Sequence, residues 1–148
     1  MIPALTLYRP WPALILRAGK DIENRSWPTS YRGLLLLHAG QRWDHSAIEL
    51  ASEIRTGDDT VALNWISQNP DDHPTGIVGV VRIWSCVQYE PPTAVSPWAM
   101  PDQWHWRLEG PYEFPTPIQC PGKQQLWVPP ADLQPALTAA LQAVGIPT

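Results

Sequence analysis

The sequence has few cysteines and no long hydrophobic run. Neither Cys86 nor Cys120 has another cysteine or a histidine at metal-ligand spacing, so we predict no zinc or redox site. We interpret both as small buried apolar residues, with a disulfide between them as the minor alternative. No segment reaches the roughly 18 apolar residues of a membrane helix, and no secretory signal is recognisable. We therefore expect no membrane association and a cytoplasmic location.

The common enzyme signatures are also missing. The chain contains no P-loop, GxGxxG, GxSxG or HExxH motif, which excludes the commonest nucleotide-hydrolase and metalloprotease classes. We expect no cofactor and no metal ion. The 148 residues suit one compact domain rather than two independent cores.

Acidic residues exceed basic ones overall, but the first part of the chain reverses this balance. The net charge is -4. Residues 1–42 contain six basic and two acidic residues, whereas the remainder contains four basic and twelve acidic residues. Concentrated positive charge in an acidic protein predicts a local basic patch for a phosphate-bearing ligand. The alternative is that these arginines spread over different faces and only solvate the surface.

Nine tryptophans accompany a single phenylalanine. Trp65 and Trp84 lie in apolar stretches, so we interpret them as packing residues. Five others neighbour prolines, charges or histidine and are candidates to line a groove: Trp11, Trp27, Trp98, Trp104 and Trp106. Indole rings stack on unpaired bases, contributing about 1–3 kcal/mol per base, so this pattern suits single-stranded nucleotides. The alternative is that the tryptophans fill a small core.

The spacing of apolar residues, glycines and prolines predicts an α+β fold. We expect strands at residues 5–8, 33–39, 76–87, 103–108, 112–118 and 122–128, and helices at 10–18, 44–54 and 132–144. Residues 60–67 are candidates for a further helical turn, and the proline-rich segment 90–100 cannot be an interior strand. Gly79 indicates a bulge or a close backbone approach. These elements favour a small, mostly antiparallel β-barrel with flanking helices.

The most unusual segment is Gly19–Trp27, where charged residues and a tryptophan follow a glycine-terminated helix. So many charged residues are unfavourable in a hydrophobic core, which makes this segment the candidate site. Lys20 follows a helix C-terminus, and capping of the helix dipole alone is an equally good interpretation of it. If the segment is extended, Glu23 and Arg25 point to one face and can pair. His38, near the end of an apolar strand, is more often a satisfied core residue than a catalyst.

Several segments resemble, in order, the ASCH domain, which is named for activating signal cointegrator homology. The most specific match is the GxKxxExR pattern at Gly19, Lys20, Glu23 and Arg25, and the others are Leu5–Trp11, Tyr31–Gly33, Gly76–Val81 and Trp104–Trp106. The resemblance implies a single ASCH-like domain over residues 1–148, with a PUA-like barrel core at about 3–130 and an unmatched C-terminal helix at 132–144. It also implies RNA binding and a cleft beside the first helix lined by Lys20 and Glu23.

A few members of this family are enzymes, including an acetylcytidine hydrolase and a reported ribonuclease. The hydrolase uses a lysine, a threonine three residues later and a distant glutamate. Lys20 matches the lysine, but Glu23 stands at the threonine position, and no glutamate lies in the predicted strand at 76–87. The resemblance therefore leaves open whether this chain catalyses a reaction.

Our leading hypothesis is a nucleic-acid-binding module for RNA or a modified nucleotide. Its expected site residues are Arg9, Lys20, Arg25 and Arg32 on phosphate, Glu23 on a base edge, Trp27 or Trp104 for stacking, and Trp11 and His105 beside them. The rival hypothesis is a small hydrolase of acylated cytidine nucleosides or of RNA, in which Lys20 activates water and Glu23 is the acid or base. A protein partner, bound through exposed tryptophans and residues 90–101, is the third alternative.

Overall fold

The computed structural model describes residues 1–54, 66–88 and 96–148. In these ranges the strands are β1 (Ala4–Arg9), β2 (Ile22–Arg25), β3 (Gly33–Trp43), β4 (Gly76–Gln88), β5 (Trp104–Ile118) and β6 (Leu126–Trp127). The helices are α1 (Trp11–Arg17), α2 (Ala47–Ile54) and α3 (Gln134–Ala143), with short 3₁₀ turns at Pro70–Asp72 and Ala131–Leu133. Trp65, most of the predicted turn at 60–67 and part of the segment 90–100 lie outside the described residues.

The described strands form one mixed sheet in the order β2-β5-β4-β3-β1-β6. Every neighbouring pair is antiparallel except β1 and β3, which run parallel. The predicted α+β class with a mostly antiparallel sheet is therefore confirmed. The outermost strands, β2 and β6, do not pair with each other within the described ranges, so the predicted closed barrel is not confirmed.

The longest strand, β5, replaces two short strands that the sequence predicted on either side of Gly110 and Pro111. These two residues lie opposite the single residue Val81 of β4, where the register between the strands shifts. The strand therefore bends at a bulge and continues, and Gly110 supplies the positive φ of 60° at this bend. The prediction of two separate strands here was wrong, because pairing with the partner strand decides whether such residues end a strand or form a bulge.

Both faces of β3 are covered, which explains its continuous apolar sequence. Leu35 and Leu37 pack in one cluster with Ile15 of α1. The intervening Leu36 points to the opposite face and packs in a second cluster with Leu137 of α3. All five side chains are at most 3% exposed. The C-terminal helix, which lies outside the family resemblance, thus belongs to the core of the described fold.

Gly79 in β4 confirms the predicted close backbone approach. A Cβ atom at this position would lie 2.6 Å from the Tyr112 carbonyl oxygen and 2.8 Å from a methyl carbon of Leu16. Both distances are shorter than ordinary carbon contacts. Glycine therefore lets β5 and α1 close over this strand.

Trp84 and the two cysteines do not have the buried positions that the sequence predicted. Trp84 is 48% exposed, because side chains alternate along β4 and its neighbour Ile83 takes the buried face. Cys86 and Cys120 are only partly buried, and both are free thiols that form no disulfide. Among the helices that the structure describes, none has the length and hydropathy needed to cross a membrane.

Candidate functional site

The end of α1 positions Lys20. The helix ends at Arg17, and Gly19 adopts a positive φ of 74° that turns the chain out of the helix. The backbone N–H of Lys20 then donates to the Leu14 carbonyl oxygen at 3.1 Å. This hydrogen bond ties the start of the GxKxxExR segment to the helix. The Lys20 side chain is directed inward and the residue is only 4% exposed.

The buried ammonium group of Lys20 contacts a carboxylate, a carbonyl and an aromatic ring. Its Nζ lies 3.5 Å from Glu23 Oε1, donates to the Ile22 carbonyl oxygen and lies 5.3 Å from the ring centre of Trp11. Burial lowers the pKa of Lys20, while the Glu23 carboxylate opposes this by favouring the charged form. Burial is the larger effect, so the pKa of Lys20 lies below its usual value.

The extended strand β2 confirms the predicted alternation of its side chains. Glu23 and Arg25 share one face, with 3.8 Å between Glu23 Oε2 and Arg25 Nη2. Ile22 is buried on the other face, and Asn24 holds the backbone of residues 98–100 through two hydrogen bonds. The Glu23 carboxylate therefore lies between a lysine and an arginine. Its Oε2 receives no hydrogen bond from the residues that the structure describes.

A cavity of about 220 Å³, which we call the Lys20 pocket, lies beside this pair. It is lined by Trp11, Lys20, Glu23, Asn24, Leu50, Trp98 and Met100. Its lining combines two indole rings with the lysine, the carboxylate and a side-chain amide. Pockets for drug-sized ligands measure roughly 300–1,000 Å³, so the Lys20 pocket suits a smaller group, of the size of one base.

A second, larger cavity of about 1120 Å³, which we call the basic cleft, lies next to the Lys20 pocket. Arg25 lines this cleft and contacts Glu23 of the pocket, so β2 connects the two cavities. Arg42, Lys123, Tyr8, Trp27 and His38 also line it. The described residues that line the cleft include no aspartate and no glutamate. Part of the predicted basic patch therefore forms here.

The wall of the cleft that carries Lys123 is an irregular loop, residues 119–125. The sequence predicted a strand from residue 122 onward, which is wrong for most of its length. Gln125 adopts a positive φ of 59°, which no regular strand has, and only Leu126–Trp127 pairs with β1. The residues before it are exposed and include Pro121, which has no backbone N–H to donate to a sheet.

Arg9 and Arg32, which we expected on phosphate, lie outside both cavities. The Arg9 guanidinium donates to the backbone carbonyls of Gly40, Gln41, Pro70 and His73 at 2.7–3.0 Å. These bonds connect β1 to the end of β3 and to the 3₁₀ turn before β4. Arg32 is exposed and donates to the carbonyls of Thr29 and Tyr31. Both arginines thus bind backbone carbonyls in this structure, Arg32 locally and Arg9 across distant segments.

The other aromatic residues of the expected site have different environments. Trp27 lines the basic cleft and packs edge-on against Trp106, with 4.6 Å between ring centres. Trp104 is partly buried against the core. His105 is 5% exposed, and its Nε2 lies 2.7 Å from the carbonyl oxygen of Met100, a residue that lines the Lys20 pocket. His105 therefore supports the pocket from behind.

The structure brings five of the expected site residues to two neighbouring cavities. Trp11, Lys20 and Glu23 meet in the Lys20 pocket, and Arg25 and Trp27 meet in the basic cleft. The sequence analysis did not group Tyr8, His38, Arg42 and Lys123 with them. Arg42 belongs to the basic segment 1–42, which is the sequence signal that could have found it. No local motif connects Arg42 to Lys123, which is distant in sequence. Within the described ranges, no three His, Cys, Asp or Glu side chains are close enough to hold a metal ion.

Comparison with known proteins gives a partial match. No protein-family model matches the chain. Among curated proteins, the chain is 31% identical over 88 residues to activating signal cointegrator 1 of Mus musculus and 28% identical over 88 residues to that of Homo sapiens. Each alignment covers 56% of this chain but only 14% of the relative. Over part of its length, the chain is thus similar to the protein after which the ASCH domain is named.

Proposed function

We propose that this chain is a single ASCH-like domain that binds RNA, with one base or modified base held in the Lys20 pocket. The observation that carries this proposal is the buried Lys20–Glu23 pair, which lines a cavity of single-base size together with two indole rings. Similarity to activating signal cointegrator 1 over part of the chain supports the ASCH-like assignment. A PUA-like arrangement of the sheet belongs to the same proposal.

The edge of a base carries the groups that this pair requires. A base amino group donates to the Glu23 carboxylate, and a ring nitrogen or carbonyl oxygen accepts from the Lys20 ammonium. Cytosine offers a donor next to acceptors along one edge, which suits a lysine and a glutamate 3.5 Å apart. Stacking against an indole contributes about 1–3 kcal/mol per base, and Trp11 is the partly buried indole of the pocket.

Fluorescence anisotropy of short labelled RNAs tests this proposal with Lys20→Met and Glu23→Gln. Loss of one buried hydrogen-bond partner costs about 1–3 kcal/mol, so we expect affinity to fall by about 5- to 150-fold in both variants. Asp21→Asn is the matched control, because Asp21 lies in the same segment but is exposed, and we expect wild-type affinity from it. Circular dichroism verifies that each variant is folded. Equal affinities of the wild type and folded Lys20→Met would refute the proposal.

A small hydrolase is the second candidate, and the lowered pKa of Lys20 is the observation that favours it. Only the neutral amine accepts a proton as a general base, and burial increases the neutral fraction. Glu23, 3.5 Å away, is within reach to exchange a proton with it. The reaction adds water across the amide of an N4-acylated cytidine and releases cytidine and a carboxylic acid. Mass spectrometry follows both products, and full activity in Glu23→Gln excludes this mechanism.

A further inference from the structure

The basic cleft extends the candidate site beyond a single base. We propose that it binds the sugar–phosphate backbone of the RNA strand whose base enters the Lys20 pocket. The ligand is then a single-stranded oligonucleotide and not a free nucleoside. This inference rests on the proposed function, because it takes the Lys20 pocket as the base site. Its independent support is the charge, the size and the construction of the cleft.

The charge of the cleft suits a polyanion. Arg25, Arg42 and Lys123 line it, and no carboxylate belongs to its described lining, although the protein has a net charge of -4. Separation of cationic side chains from acidic ones concentrates phosphate-bearing ligands at that surface. The rest of the lining includes amide and hydroxyl groups, such as those of Gln41 and Thr75. Side chains of these types contact phosphate and sugar oxygens in nucleic-acid complexes.

The structure holds Arg42 in place before any ligand binds. Its Nη1 donates to the Tyr8 hydroxyl at 3.0 Å, and its guanidinium lies 5.7 Å from the centre of the Tyr8 ring. Tyr8 itself is 49% exposed at the cleft. A fixed guanidinium loses less conformational entropy when it binds an anion, so Tyr8 is a positioning residue for Arg42.

The loop that carries Lys123 is also tied to the sheet. The ring nitrogen Nε2 of His38, in β3, lies 2.8 Å from the Cys120 carbonyl oxygen. Since a carbonyl only accepts, Nε2 carries the hydrogen and donates it. At the start of the loop, Gln119 Nε2 donates to the Thr75 carbonyl oxygen at 2.9 Å. The two walls of the basic cleft are therefore attached to the same sheet, which fixes the distance between them.

The size and position of the cleft favour a strand over a single nucleotide. It measures about 1120 Å³, against about 220 Å³ for the Lys20 pocket, so it has room for several groups. Arg25 lies in the cleft and is 3.8 Å from Glu23 of the pocket. A phosphate bound by Arg25 therefore lies next to the nucleotide whose base occupies the pocket.

The test measures binding of cytidine, which is uncharged, and of a cytidine-rich RNA of about eight nucleotides over a range of salt concentrations. For single strands the logarithm of affinity falls with the logarithm of salt concentration by about 0.7 per phosphate contact, so three cations predict a slope of about -2. For the double variant Arg42→Gln/Lys123→Gln we expect a slope of about -0.7. Arg82→Gln is the matched control, because it removes an exposed charge outside both cavities, and we expect its slope to equal that of the wild type.

The outcomes separate this inference from the proposed function. We expect the double variant to lose about tenfold or more in RNA affinity near 0.1 M salt while it binds cytidine like the wild type, and Lys20→Met to lose affinity for both ligands. Suppose that Lys20→Met binds both ligands normally while the RNA affinity of the double variant loses its salt dependence. The Lys20 pocket is then refuted as the base site, and the basic cleft remains a backbone site.

Three results would overturn the proposal that the basic cleft binds the RNA backbone. The first is an equal salt slope in the wild type and the double variant. The second is RNA affinity no higher than that for cytidine. The third is equally tight binding of a glutamate-rich peptide of the same charge as the RNA, which would identify the cleft as a site for an acidic protein.

Discussion

The substitution Glu23→Gln tests the electrostatics of the Lys20 pocket most directly. It removes one negative charge but keeps the shape of the side chain. The Lys20 ammonium, 4% exposed, is then left with a carbonyl oxygen and an indole ring but without its paired carboxylate. The nearby Arg25 also repels it. We expect a large loss of stability at pH 7, because an uncompensated buried charge is strongly destabilising.

The distance and the burial of the pair give the magnitude of this loss. Two unit charges 3.5 Å apart attract each other by about 5 kcal/mol at an effective dielectric constant near 20, and removal of one partner from a buried pair costs about 3–5 kcal/mol. We expect the free energy of unfolding to fall by about 3–5 kcal/mol, a large part of the roughly 5–15 kcal/mol that stabilises a typical domain. Lys20→Met costs less, since Glu23 retains Arg25 at 3.8 Å.

The loss also depends on pH in a defined direction. Burial lowers the pKa of Lys20 and the Glu23 carboxylate raises it, so this pKa falls further in Glu23→Gln. Lysine in the unfolded chain keeps a pKa of about 10.4. Between the two pKa values the unfolded state binds more protons, so stability rises with pH. The unfolded-state pKa is the same in both proteins, so the deficit of Glu23→Gln relative to the wild type is complete below the folded-state pKa of Lys20 in the variant and shrinks as the pH rises to the folded-state pKa of Lys20 in the wild type.

Urea denaturation followed by tryptophan fluorescence measures these effects at pH 7 and at about pH 9.5. Glu113→Gln is the matched control, since it breaks an ion pair with Arg17 whose nearest atoms are 2.6 Å apart but whose side chains are 41% and 44% exposed. For this exposed pair we expect a loss of about 0.2–1 kcal/mol at both pH values. The electrostatic reasoning is refuted if Glu23→Gln costs no more than Glu113→Gln, or if its deficit does not shrink at the higher pH.

Two further predictions concern the sheet. Gly79→Ala places a Cβ 2.6 Å from a backbone oxygen, so we expect a loss of about 3 kcal/mol in thermal or urea unfolding. Gly110→Ala, whose Cβ meets nothing within 4 Å, costs only about 1 kcal/mol of backbone strain, and equal losses would contradict this account. Burial lowers the pKa of His38, so the unfolded chain takes up a proton first and stability falls as the pH drops below about 6.5. His38→Gln keeps a donor for the Cys120 carbonyl and should flatten this decline between about pH 7 and pH 5, whereas an identical decline in both proteins would exclude His38 as its source.

The sequence predicted the fold well where one residue decides the local geometry. Gly19 ends α1 with a positive φ, and Gly79 allows a close approach that no side chain would permit. The prediction was wrong where the result depends on a partner strand. Gly110 does not end a strand, because the extra residue of β5 forms a bulge where its register with β4 shifts. Trp84 lies on the exposed face of β4, and the apolar sequence around it gave no sign of which face the helices would cover.

The site was predictable only in its local part. The pairing of Glu23 with Arg25 follows from the two-residue period of an extended strand. The basic cleft depends on the sheet, which brings Arg42 at the end of β3 next to the loop of Lys123. Arg9 is an example in which the sequence was misleading. From the sequence alone, an arginine near a predicted site looks like a residue that contacts the ligand. Its four backbone acceptors become visible only when the end of β3 and the turn before β4 meet.

The strand β2 gives a physical reason to expect the two cavities to act together in the proposed RNA binding. Glu23 at the Lys20 pocket and Arg25 at the basic cleft lie on one face of this four-residue strand. In the proposed complex, a phosphate on Arg25 would compete with Glu23 for the guanidinium and leave the Glu23 carboxylate free to accept hydrogen bonds from Lys20 and from the base. A base amino group that donates to Glu23 would weaken the same ion pair and make Arg25 available for phosphate. Because coupling between two sites is reciprocal, we expect that, if the proposed base and backbone sites are both correct, binding at either one strengthens binding at the other through the 3.8 Å contact between these two side chains.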